Sequence, residues 1–236
     1  MTKLSVNINK VALIRNARGE SLPDLFQFAC DCEEYGADGI TVHPRPDERH
    51  IRYSDIPRLK EINTTEFNIE GYPSESFLKL VMDNCPDQCT LVPDPPGVLT
   101  SNEGWNTSEN KDLLIDVINM LHSKNIRVSL FLDPKLDMVD AAKLTGTDRI
   151  EFYTGSFAHQ YIKDSDSAIQ DHKAAAKRAN ELDLGINAGH DLNLNNLKFY
   201  ASQIPKLLEV SIGHALISDA LYYGIQNTIQ LYKRLL

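Results

Sequence analysis

Apolar and polar positions along this chain fall into two repeating patterns. Short runs rich in apolar and β-branched residues alternate with longer stretches in which apolar positions recur at helical spacing. Eight runs read as strands: LSVNIN (4–9), GITVH (39–43), EFNIEG (66–71), CTLVP (89–93), RVSLFLD (127–133), RIEFYTG (149–155), GINAGH (185–190) and LEVSIGH (208–214). Between them LPDLFQFACDCEEYG, SESFLKLVMDNC, NKDLLIDVINMLHSKN, SAIQDHKAAAKRANELDLG and the C-terminal ISDALYYGIQNTIQLYKRLL read as helices, several stopping at Gly or Asn as helix C-termini do. Unbroken alternation of strand and helix predicts a parallel sheet, because parallel neighbours need a crossover. Eight repeats in 236 residues fit an α/β fold of the (β/α)8 TIM-barrel type, one domain over 1–236, better than an open doubly wound sheet.

In such barrels the chemistry sits where strands end, so the last residues of each run are the candidates. The stretch DGITVHPRPDERHI begins as core and finishes in charge, which marks Pro44 to His50 as a loop on the functional face. Strand ends offer Asn7 and Asn9, His43 followed by Arg45, Glu70, Glu151, His190 and His214. The seventh and eighth runs end alike, in NAGHD and SIGHA, with Gly189 and Gly213 directly before a histidine. One such glycine alone signals a tight turn; two at corresponding places favour a phosphate site built from backbone N–H groups. Arg18 in RNARG, Arg45 and His50, with Thr100 as a hydroxyl donor, suggest a second anion site suited to phosphate.

His43, Glu70 and His190 are the acid–base candidates, since imidazole titrates near neutrality and a desolvated carboxyl rises toward it. His122 and His172 fall inside helical patterns and are expected to face solvent; His159 lies in a long polar loop and is left open. Arg15, Arg49, Arg52 and Arg58 read as solvated charges. A Schiff-base lysine is a rival mechanism on this fold, but Lys10 and Lys135 follow their strands rather than point from within them.

Composition narrows the picture further. Hydrophobic residues make up 42% and charged residues 24%, an ordinary globular balance, and a net charge of -9 with no long basic run argues against nucleic acid. No apolar run of about 18 residues appears, and MTKLSVNINK lacks the marks of a signal peptide, so a soluble cytoplasmic protein without a membrane partner is expected. Cys30, Cys32, Cys85 and Cys89 lack the CxxC pairs of zinc ribbons and read as reduced structural thiols, with no metal site.

The blocks VNINKVALIRNARG, GADGITVHPRPDERHI, FNIEG, SLFLDP, RIEFYTG, INAGHDL and SIGHALI together resemble the pyridoxine 5'-phosphate synthase family of the PdxJ type, from residue 4 to the C-terminus. The resemblance implies a (β/α)8 barrel with additional helices, a homo-octamer, and no metal or organic cofactor. It implies condensation of two phosphorylated small molecules, 3-amino-2-oxopropyl phosphate and 1-deoxy-D-xylulose 5-phosphate, to pyridoxine 5'-phosphate. By motif, His43 and Glu70 match proton acceptors, His190 a proton donor, and Glu151 a residue that stabilises the transition state. Asn7, Asp191, Gly213 and His214 match contacts to the amino-ketone phosphate; Arg18, Arg45, His50 and Thr100 match contacts to the deoxyxylulose phosphate. Two departures stand out. Asn9 and Lys10 replace the usual Asp-His pair at the substrate-binding end of the first strand, and Asp191 replaces a glycine. A sugar-phosphate isomerase or aldolase on the same barrel, and a phosphate-ligand sensor without catalysis, are the alternatives.

Overall fold

The computed structural model describes residues 1–94 and 103–236. The chain runs β1 (Lys3–Asn7), α1 (Asn9–Arg18), α2 (Leu25–Glu34), β2 (Gly39–Val42), α3 (Ile56–Ile62), β3 (Glu66–Gly71), α4 (Glu75–Asn84) and β4 (Gln88–Leu91). It continues with α5 (Lys111–His122), β5 (Arg127–Leu132), α6 (Leu136–Lys143), β6 (Arg149–Phe152), α7 (Gly155–Tyr161), α8 (Ser165–Ala168) and α9 (Gln170–Glu181). The last elements are β7 (Gly185–Gly189), α10 (Leu197–Gln203), β8 (Leu207–Ile212), α11 (His214–Tyr223) and α12 (Ile225–Lys233). All eight strands pair in parallel in chain order, and β1 pairs with both β2 and β8, closing the barrel.

Alternation along each strand separates two environments. Leu4 and Val6, Ile40 and Val42, Phe67 and Ile69, Leu130 and Leu132, and Ile150 and Phe152 pack outward into one core with helix residues such as Val11, Phe77, Leu121 and Ala175. The residues between them point into the barrel, and these are mostly polar. Ser5 and Thr41 share a hydroxyl contact of 2.7 Å, Asn68 Nδ2 donates to Thr41 Oγ1 at 3.3 Å, and Thr90 donates to Asn68 Oδ1 at 3.1 Å. Buried polar groups need such partners, so this chain of bonds fixes the relative heights of the first four strands.

Toward the strand N-termini the interior turns ionic. Arg127 pairs with Glu66, and Arg149 lies 3.9 Å from Glu66 and 3.7 Å from Glu209. Burial, reinforced by the charge of Glu66, pushes the Glu209 carboxyl up to about 8, while Glu66 is held down by its hydrogen bond to Glu209 and by the arginines despite its own burial. Glu209 therefore keeps in the folded state a proton that it loses near 4.5 when unfolded, and its stabilising contribution falls as pH rises toward about 8. The expected slope is about 1.4 kcal/mol per pH unit for one such proton. Glu209→Gln should flatten the pH dependence of stability between about pH 5 and 8, read from urea unfolding at both ends; an unchanged slope would show that Glu209 is ionised throughout.

Several sequence expectations are corrected. The first strand ends at Asn7 rather than residue 9, because Asn7 Oδ1 accepts the Asn9 N–H at 3.0 Å and turns the chain into α1. The single C-terminal helix is two, broken at Gly224, whose φ of 75° and ψ of 149° suit glycine alone. His159 lies on the exposed side of α7 instead of in a loop. His172 is buried rather than solvent-facing, with Nδ1 2.9 Å from the Tyr200 hydroxyl and Phe157 beside it; burial pushes it down to about 4. It shares its inward face with Ala175, Ala176 and Ala179, at the i+3, i+4 and i+7 positions. Arg15 is likewise buried, its guanidinium forked onto Asp55 with both contacts at 2.9 Å. Cys32 and Cys89 are buried with thiols pushed up by burial, Cys30 is half-buried and Cys85 exposed, and no metal-holding cluster occurs among the described residues.

Candidate active site

A cavity of about 620 Å³ opens at the C-terminal ends of the strands. Twelve of the fourteen positions singled out from sequence line it: Asn7, Asn9, Lys10, His43, Arg45, His50, Glu70, Glu151, His190, Asp191, Gly213 and His214. Arg18 does not. Its side chain is 83% exposed beside Glu20, because α1 carries it away from Lys10 by about 12 Å at 1.5 Å per residue. Thr100 lies outside the described residues.

The first residue of α1 holds the neighbouring loop in place. Asn9 accepts the His43 N–H on Oδ1 at 2.9 Å, so a neutral amide does the positioning. His43 Nδ1 lies 3.9 Å from Glu70 Oε2, and Asn7 Nδ2 reaches the same oxygen at 3.4 Å. Burial, followed by Arg45, His50 and Arg49, holds His43 well below the usual imidazole range, so this contact joins a neutral ring to a carboxyl group and is no ion pair. Glu70 is pushed up to about 7 by burial, with His190 and Arg45 pulling the other way. Buried Glu151 is raised well above the ordinary range by burial and by Glu70 and Glu209, and its Oε2 has no hydrogen-bond partner among the described residues.

His190 behaves oppositely to His43. Burial lowers it, but its hydrogen bond to Asp191 and the charges of Asp191, Glu70 and Asp94 outweigh that and raise it. The two histidines are thus driven apart, one toward a neutral proton acceptor and the other toward a protonated donor, which is how one site runs acid and base chemistry together.

Anion-binding groups sit at separate edges of the cavity. Arg45, with its side chain 9% exposed, lies 3.8 Å from Asp94. His50 is pushed down to about 4 by burial and by Arg45, Arg49 and Lys10. Its Nδ1 accepts the Ile51 N–H at 3.0 Å, which leaves Nε2–H as the donor toward a ligand. After β8, on the other side of β1, Gly213 precedes α11 and, with His214 and Ala215, presents a helix N-terminus to the cavity. Gly189 is not there for a turn: it sits in β7, where a Cβ would overlap the Ser211 carbonyl oxygen of β8.

Sequence reasoning passed over Arg49, Thr90, Phe131, Asn193 and Ser211, which also line the cavity. Thr90, Phe131 and Ser211 lie before their strands end; counting inward positions back at a period of two from each strand end would have found them. Lys135, one of the two Schiff-base candidates, is outside the cavity and pairs with Asp133 at 3.1 Å, an interaction that raises it and keeps it protonated.

Among solved structures, phosphoribosylanthranilate isomerase from Thermotoga maritima superposes with a TM-score of 0.60 at 11% identity, covering 100% of this chain and 98% of that one. The YdjI aldolase from Escherichia coli K12 gives 0.60 at 11%, covering 99% and 88%. At these identities the likeness is one of fold. Curated relatives are far nearer in sequence. Proteins named pyridoxine 5'-phosphate synthase from Flavobacterium johnsoniae (56% identical, 99% of each chain), Parabacteroides distasonis (58%, 99% of this chain and 98% of that protein) and Bacteroides fragilis (55%, 100% of each) all match. Residues 4–236 also match the family described as pyridoxal phosphate biosynthesis protein PdxJ. With strand-end chemistry, barrel and sequence agreeing over nearly its whole length, the chain belongs to the PdxJ family.

Proposed function

We propose that this chain is a pyridoxine 5'-phosphate synthase. It condenses 3-amino-2-oxopropyl phosphate with 1-deoxy-D-xylulose 5-phosphate to give pyridoxine 5'-phosphate, phosphate and water, in the de novo synthesis of vitamin B6. The observation that carries this reading is the pairing, in one cavity, of acid–base groups driven in opposite directions with anion-binding groups at separate edges.

The amine of one substrate attacks the ketone of the other, so the imine forms between substrates and no lysine of the protein is consumed. Glu70 and His43 accept protons during imine formation, enolisation and dehydration. His190 protonates a departing oxygen in the steps that lose water or phosphate, and Glu151, kept uncharged, donates a hydrogen bond to charge developing on the reacting atoms. Arg45 and His50 hold the deoxyxylulose phosphate, while Asn7, Gly213 and His214 hold the amino-ketone phosphate, with Lys10 and Asn9 between. Gripping both phosphates brings the reacting carbons together, an effect that reaches about 7–11 kcal/mol in favourable cases.

The chain acts as one domain over residues 1–236, in the cytoplasm, as a homo-octamer. Leu221, Tyr222 and Tyr223, exposed by 74%, 86% and 53% at the end of α11, support burial against other subunits. No helix among the described residues is long and apolar enough to cross a membrane.

Mixing purified protein with both substrates should yield the pyridine chromophore and inorganic phosphate in equal amounts. Turnover of either substrate alone would point to an isomerase or aldolase, and binding of both without product would point to a sensor.

A further inference from the structure

We infer that Asp191 is a positioning residue for this reaction: its carboxylate grips Nδ1 of His190, so that the proton delivered to the departing oxygen is the one on Nε2. The inference rests on the synthase reading and deepens it.

The geometry leaves the pair little freedom. Asp191 Oδ2 lies 2.6 Å from His190 Nδ1. The Asp191 N–H donates to Thr154 Oγ1 at 3.3 Å, and the buried Thr154 hydroxyl donates in turn to the Gly189 carbonyl. The Asp191 carbonyl accepts from the side-chain amides of Asn193 and Asn196, each at 3.3 Å. Backbone on both sides of His190 is therefore tied down, and His190 itself sits at a φ of 50°, a left-handed conformation that a non-glycine residue keeps only when its surroundings enforce it. Only the short Asp191 side chain remains to be set, and the imidazole sets it. The pairing also answers why a carboxylate is tolerated beside an anion site: its charge is spent on the ring instead of opposing a phosphate. An imidazole fixed at one nitrogen by a carboxylate offers the other nitrogen in a defined direction, as in carboxylate–histidine pairs generally.

The charged and titratable groups around the ring include Asp191 from its own loop, Glu70 from β3, Asp94 after β4 and Tyr153 after β6, whose ring packs 5.9 Å away. The direct hydrogen bond from Asp191 is first among the contributions that raise His190.

The test compares full-length Asp191→Asn, which keeps an acceptor without the charge, with Asp191→Ala, which keeps neither. His190 is titrated by imidazole NMR without substrate, and kcat is followed against pH. Asp191→Asn should lower the His190 titration by about one pH unit and shift the basic limb of kcat downward equally, costing about tenfold on that side with KM little changed. Asp191→Ala should shift the limb similarly and also lower kcat at acid pH, where loss of orientation is exposed. Should Asp191→Ala fail to fold, the isosteric variant decides. An unmoved His190 titration in Asp191→Asn overturns the inference, as does an unmoved kcat profile accompanied by a lower KM for the amino-ketone phosphate, the signature of a carboxylate that only repels. Because the NMR readout needs no turnover, absence of pyridine from the unaltered protein would count against the synthase reading alone.

Discussion

Glu70→Gln should lower kcat by about 10²–10⁴-fold while leaving the affinity for each phosphorylated substrate within a few-fold. The amide has the shape of the carboxyl group and can still accept from Asn7 Nδ2, 3.4 Å away, but cannot take up a proton. In the proposed reading the phosphates are held by other residues, Arg45 and His50 after β2 and Gly213 with His214 after β8, all of which the change leaves in place. The pH profile supplies a second readout. With Glu70 at about 7 in the folded protein, kcat/KM should rise with pH through that region as the base ionises, and the variant should lack this limb. Stability separates chemistry from misfolding. A carboxyl raised above its unfolded value stabilises below about pH 4.5 and loses that contribution as pH climbs through about 7, so the neutral amide should be at least as stable as the original at pH 8. Retained turnover would remove Glu70 from the mechanism, and calorimetric loss of substrate binding would reassign it to recognition.

The largest effect on stability is expected at Arg15. Arg15 and Asp55 are each 5% exposed, their charged groups meet through two contacts of 2.9 Å, and Asp55 also accepts the Arg52 N–H at 2.8 Å. Removing one partner of a buried pair strands the other charge, which typically costs about 3–5 kcal/mol. At about 2–4 °C per kcal/mol for a chain of this size, Arg15→Ala should melt roughly 6–20 °C lower. The Asp55→Ala, Arg15→Ala double variant should recover part of the loss, because no unpaired charge then remains. Activity should suffer as well. Arg15 Nη2 donates to the His50 carbonyl at 3.2 Å and Asn16 Nδ2 to the same oxygen at 2.7 Å, so α1 anchors the loop that carries His50. A raised KM for the deoxyxylulose phosphate in those molecules that remain folded would register this. A loss below about 1 kcal/mol would mean the pair is as solvated as an ordinary surface contact.

The barrel was legible in the chain because each strand is local. Apolar runs such as EFNIEG coincide with β3, and most other strands differ from their runs by a residue or two at the ends, where side-chain bonds such as Asn7 to Asn9 decide the turn. The site was legible for a related reason: parallel strands all end on one face, so listing strand ends amounts to listing neighbours; the loop after the second strand added His50, and the motif likeness brought in Asp191.

What failed depended on which face of a helix is covered. Arg15 and Arg18 lie in the same short helix within four residues, yet one is buried against Asp55 and the other is exposed beside Glu20. His172 repeats the lesson, since a helical period shows that a face exists without showing what lies on it.

By itself, the sequence determined the order of strands and helices, the closure of the barrel, the face bearing the chemistry and the family, because those follow from short-range patterns and from motifs written continuously in the chain. Tertiary structure alone set the proton affinities of these groups. Whether His43 is pushed down and His190 up, whether Glu70 rises to about 7, and whether Asp191 opposes a phosphate or grips an imidazole all depend on burial and on charges brought from other strands. Proton affinity is set by the distance and solvation of neighbours that lie far apart in the chain, and those exist only once the barrel has closed.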